Sequence, residues 1–96
     1  MKKITDFEEL LTRKYGPRGT PERELYEKEA LAFRLGIMLK EERKKAKLTQ
    51  LDLANRTGTR KSYISRIERG KSDIQVSTFH RLVEYGLGKN LVIEIV

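Results

Sequence analysis

Between Thr49 and Gly70 the chain carries two short amphipathic helices with their ends marked, and this pair constrains the fold more than any other feature. Thr49 with Asp52 forms a capping box in its aspartate version, and Leu48 is placed to staple against Leu53. Gly58 stops the first helix at a position that favours a left-handed residue. A second helix follows from about Lys61 to Arg69, ended by Gly70. Small Ala54 lets a neighbouring helix approach closely, and Leu53, Ile64 and Ile67 are the apolar anchors that lock the pair. A tight pair of this kind turns its second helix outward, in the geometry that fits a major groove.

The flanking segments are also helical in pattern. Ile4, Phe7, Leu10, Leu11 and Tyr15 fall at helical spacing within residues 1–15, and the Gly/Pro-rich stretch Gly16–Pro21 breaks that helix. Thr20 suits an N-cap, Pro21 the first helical position, and Glu22 and Glu24 the positive end of the dipole. The helix they open runs to about Lys45, where Lys44, Lys45 and Lys47 match its negative end. Leu25, Leu31, Ala32, Leu35, Met38 and Leu39 give it an apolar stripe, and the half from Ala30 onward is expected to pack into the domain. A fourth helix is expected from about Val76 to Tyr85, burying Val76, Phe79, Leu82 and Val83. After the turn at Gly86 and Gly88, the β-branched tail Leu91–Val96 reads as a strand.

Composition narrows the classes. The chain has 96 residues and no cysteine, which excludes disulfides and thiol chemistry. The acidic Asp6 comes too early for a secretion signal, and no apolar run reaches the ~18 residues of a membrane span, so a cytoplasmic protein is expected. The only histidine, His80, has no second ligand or nucleophile near it in sequence, and no catalytic dyad or phosphate loop is visible; neither an enzyme nor a cofactor is expected. The net charge is +7, and all of the excess lies after residue 30. A surface this basic suits a polyanion, but charge alone serves solubility equally well and does not separate DNA from RNA or acidic lipid.

The residues Thr49-Gln50, Leu53-Ala54, Gly58, Ser62, Ile64-Ser65, Ile67-Glu68 and Gly70 resemble those of the Cro/repressor-type (XRE) helix-turn-helix domains, over roughly residues 30–88. The resemblance implies a lambda-repressor-like helical bundle that binds operator DNA and represses transcription. It implies that Lys61, Ser62 and Arg66 face base edges, where Lys and Arg can donate to guanine O6 and N7. It implies phosphate contacts from Thr49, Gln50, Arg60, Tyr63, Arg69 and Lys71, with Gln50 also able to brace the recognition helix. The other reading of Arg60, Arg69 and Lys71 is as solvated charges, and of Tyr63 as a surface packing residue. Glu68 reads as structural, since a carboxylate near phosphate repels. Two positions depart from the family: Arg60 is a poor helix cap, leaving Thr59 as an alternative start, and Leu51 replaces a usually polar residue.

The layout of the whole chain resembles HigA-type antitoxins. The matching parts are the segment Gly16-Pro17-Arg18-Gly19-Thr20-Pro21, the charged helix Glu22–Lys45, the central motif and the ending Gly86–Ile95. That resemblance implies a RelE/HigB-like ribonuclease toxin as partner, held through Phe7, Leu10, Leu11 and Tyr15, whose other reading is packing on the protein's own core. It also implies that toxin and antitoxin together repress their own operon. A stand-alone Cro/repressor-like regulator and a protein-binding adaptor are the other readings. The tail has no partner strand elsewhere in the sequence, so Leu91, Ile93 and Ile95 are expected to pair with a second copy in a homodimer. The expected architecture is therefore mainly α, a helix-turn-helix bundle with a C-terminal β-strand pairing across a dimer. Its parts are an N-terminal helical segment and linker (1–29), a DNA-binding domain (30–88) and a dimerisation strand (89–96).

Overall fold

The computed structural model describes the backbone of residues 4–96 and the side chains from Glu8 onward. The chain divides into two compact units, one ending at Leu31 and the other running from Ala32 to Val96.

The first unit pairs α1 (Ile4–Tyr15) with the opening of α2 (Pro21–Lys45). An arginine stands at its centre. Arg23 is fully buried and donates to Glu8 Oε2 at 2.6 Å, to Glu27 Oε1 at 2.9 Å and to the Gly16 carbonyl at 3.2 Å. Arg18 also pairs with Glu8. With hydrogen bonds from Arg18 and then Arg23, the Glu8 carboxyl is lowered to a pKa of about 2. Leu11 is buried, and Tyr15 stacks on Tyr26 at 4.2 Å between centroids. The Thr20 hydroxyl does not cap α2 as expected. It donates back to the Pro17 carbonyl at 2.8 Å, and the Thr20 carbonyl accepts the Glu24 N–H at 3.0 Å.

The second unit contains the rest of α2 with α3 (Gln50–Thr57), α4 (Lys61–Glu68) and α5 (Val76–Arg81). Leu39, Leu53, Ala54, Ile64, Ile67, Phe79, Leu82 and Leu87 form its core. The last helix is not uniform: from Leu82 to Gly86 it widens into a π turn, in which Leu87 N–H reaches back to the Leu82 carbonyl at 3.1 Å. This turn sets Gly86 against Leu53, where an added Cβ would lie 2.3 Å from a Leu53 methyl, and Arg56 donates to the Gly86 carbonyl at 3.2 Å. Two residues past the end of α2, Lys47 takes the left-handed region (φ 58°), and Leu48 N–H bonds to the Arg43 carbonyl at 3.2 Å. Its lysines were legible as complements to the dipole but not as a left-handed stop.

Several expected core positions lie outside it. Met38 is exposed, because the helical period turns Leu35 and Leu39 of the stripe toward the α3–α5 core; Leu31, in the first unit, is exposed as well, and Leu25 is exposed in the half of α2 that was not expected to pack. Val76 opens α5 and is 65% exposed. Among the described residues there is no strand. Leu91 packs on the core and its N–H donates to Glu84 Oε2 at 3.3 Å, but Val92 to Val96 are exposed. β-Branched residues supply only propensity; a strand needs a neighbour to receive its backbone hydrogen bonds, and none of the described residues offers one.

Candidate nucleic-acid interface

The capping box at the start of α3 is formed in both directions. Thr49 Oγ1 accepts from Asp52 N–H at 3.0 Å, and Asp52 Oδ2 accepts from Thr49 N–H at 2.9 Å. That backbone bond, then the side-chain bond with Thr49, lowers the Asp52 pKa. Gly58 closes α3 at φ 66°, ψ 26°, and its N–H bonds to the Ala54 carbonyl. The turn to α4 is tightened by Thr57, whose buried hydroxyl donates to the Leu53 carbonyl at 2.8 Å.

α4 begins at Lys61, with Arg60 as an N-cap that makes no side-chain cap bond. Thr59 does not take over: its hydroxyl sits 2.9 Å from that of Thr57. Ile64, Ile67 and Glu68 face inward and are buried. The opposite arc, at helical spacing, carries Ser62, Ser65, Arg66 and Arg69. Lys61, Ser62 and Arg66 are exposed, Ser65 is half-buried, and Tyr63 is half-buried against the core at the edge of the arc. Ser65 was not singled out from the sequence as a contact; its spacing from Ser62 and Arg69 was the available signal. Arg60, Arg69 and Lys71 are all exposed, and Arg69 Nε donates to the Ser65 carbonyl at 3.3 Å.

Glu68 is structural, as its sign suggested. Its carboxylate receives Arg43 Nε at 2.7 Å and Nη2 at 2.9 Å, and Gln50 Nε2 at 3.0 Å. Arg43 Nη1 also donates to the Leu48 carbonyl at 2.8 Å, and the bonds to Glu68 raise the Arg43 pKa. One carboxylate thus ties the end of α2 and the start of α3 to the end of α4. Gln50 acts as the brace, with its amide oxygen and second N–H left for other contacts. Close approach reinforces the tie: an added Cβ on Gly36 would lie 2.2 Å from the Ile67 carbonyl oxygen.

Of the proposed partner-facing residues, Leu10 is exposed, Leu11 is buried within its unit, and Tyr15 is half-buried on Tyr26. The Phe7 side chain lies outside the described residues. His80 is exposed, with Nε2 3.1 Å from Glu84. Among the described residues, no group of three His, Asp or Glu side chains is placed to hold a metal ion, and no helix is long and apolar enough to cross a membrane.

Residues 39–85, from the end of α2 through the π turn, match the helix-turn-helix family model of the XRE type. Neither a curated protein nor a solved structure matches the chain. The family match and the outward-facing α4 together support a DNA-binding transcription regulator.

Proposed function

We propose that this protein is a sequence-specific transcriptional repressor and the antitoxin of a type II toxin–antitoxin pair, neutralising a RelE/HigB-like ribonuclease and regulating its own operon. The observation that carries the DNA reading is the outward arc of α4, held rigidly from behind by the Arg43–Glu68–Gln50 tie. Lys61, Ser62 and Arg66 read base edges, while Thr49, Gln50, Arg60, Tyr63, Arg69 and Lys71 contact phosphates.

The antitoxin reading rests on the N-terminal unit. It is packed around its own ion cluster and carries none of the excess positive charge, so DNA binding does not explain it. Leu10 lies on its outside, and with Phe7 and Tyr15 it forms the toxin-facing segment, which buried Leu11 anchors from within. The exposed apolar tail supports a homodimer paired through Leu91, Ile93 and Ile95; Ile95 is 96% exposed in the single chain.

The test is to express the chain with the neighbouring reading frames of its own genome and recover what co-purifies. A small basic partner whose ribonuclease activity falls on binding is the expected result. Recovery of the chain alone, still bound to its own promoter, would leave a stand-alone regulator. Duplex binding should weaken steeply from low to moderate salt; a salt-insensitive interaction would indicate an adaptor instead.

A further inference from the structure

We infer that Tyr63 is a positioning residue for Arg66, and that the two act as one reading unit on the recognition helix; the inference rests on the DNA reading above. The Arg66 guanidinium carbon lies over the Tyr63 ring, 5.5 Å from its centroid, within the range of a cation–π contact. The spacing of three residues on α4 brings the two side chains together on one side of the helix. The ring is not free to drift, because it packs against the hydrophobic core of the second unit.

Other arginines of the chain have spent donors on the protein itself. Arg43 and Arg23 are buried in ion pairs, Arg56 bonds to Gly86, and Arg69 bonds to Ser65. Arg66 is exposed and its guanidinium donates to no protein group among the described residues, so its planar fork remains available for a base edge. A cation–π contact suits this role, since it orients the guanidinium plane without consuming an N–H. An arginine ordered before binding loses less freedom when it docks on a guanine. For this positioning role it is the ring of Tyr63 that matters; its hydroxyl serves the phosphate contact.

The test begins with a duplex selected by the wild-type chain from a randomised pool, and with its single-base-pair variants. Arg66→Ala identifies the base pair that Arg66 reads. Tyr63→Leu should lower discrimination at that pair by about two- to fivefold, the scale of an exposed cation–π contact. Discrimination at the other pairs should hold, and Tyr63→Leu should have no further effect on it in an Arg66→Ala background. Tyr63→Phe should restore what Tyr63→Leu loses. Equal weakening on every duplex with discrimination unchanged, or a Phe variant that discriminates as poorly as Leu, overturns the inference and leaves Tyr63 with a phosphate-contacting or packing role only. A second measurement needs no variant to fold: in the free wild-type protein the Arg66 δ-protons should be shifted upfield by the ring current. Random-coil positions for these protons would overturn the contact while leaving DNA binding intact. If the wild-type chain selects no sequence at all, the DNA reading fails and this inference fails with it.

Discussion

Glu68 and Arg43, 25 positions apart in sequence, meet as a two-pronged ion pair with N···O distances of 2.7 and 2.9 Å inside the helix-turn-helix unit. Both residues are buried, so neither charge can fall back on water when the other is removed. Glu68→Ala or Arg43→Met should each destabilise the domain by about 3–5 kcal/mol in urea unfolding. The double variant Arg43→Met/Glu68→Leu should recover much of that loss, because it leaves no unpaired buried charge. Single losses below ~1 kcal/mol would mean the pair is solvated.

Gly36 should be intolerant of even one methyl group. Its missing Cβ is where the Ile67 carbonyl approaches to 2.2 Å, and backbone cannot step aside as a flexible side chain can. Gly36→Ala is expected to cost about 1–3 kcal/mol of overpacking despite the better helix propensity of alanine. Thermal unfolding decides the sign, and a stabilised variant would refute the close approach of α2 to α4.

Acid should loosen the N-terminal unit in a defined window. Glu8 has its pKa lowered from 4.5 to about 2, first by the hydrogen bond from Arg18 and then by that from Arg23. Because the folded value is the lower one, the contribution is complete above the unfolded value and fades as pH falls toward 2. An NMR titration of the Glu8 side chain should follow this, and Arg18→Gln or Arg23→Gln should move the midpoint up. A wild-type midpoint at the ordinary glutamate value would show that the cluster is not formed in solution.

Two kinds of DNA contact should separate cleanly. Lys71→Ala is expected to weaken binding on all duplexes alike and to reduce the salt slope by about 1. Arg66→Ala should instead cost about 1–3 kcal/mol at one base pair. Titrations on several duplexes at several salt concentrations distinguish the two. Uniform loss from both variants would place Arg66 on the phosphate backbone.

Removing residues 91–96 should convert a dimer into a monomer while α3 and α4 remain folded. Leu91 contributes to the core edge, so unfolding should be followed alongside sedimentation. A truncated chain that still sediments as a dimer rules out the tail as the interface.

The local signals were legible because each is completed within a few residues. The Thr49–Asp52 box, the left-handed Gly58 and the inward run of Ile64 and Ile67 need only their own helix to take effect. The start of α4 was ambiguous between Thr59 and Arg60, and was settled only by the Thr57–Thr59 contact across the turn. The role of Glu68 could be guessed from its charge, and Gln50 as a brace from the family resemblance, but not Arg43, since nothing local links the two.

The sequence by itself determined both ends of α3 and the end of α4, because capping and apolar spacing act over one or two turns. Tertiary structure decided which side chains those helices spend on each other. It buried Arg23 and Arg43, left Met38 and Val76 in solvent, and brought Gly36 against the Ile67 carbonyl. The apolar tail shows the same division. Its β-branched residues favour extension, yet it stays unpaired in the single chain because a strand exists only with a neighbour to accept its hydrogen bonds.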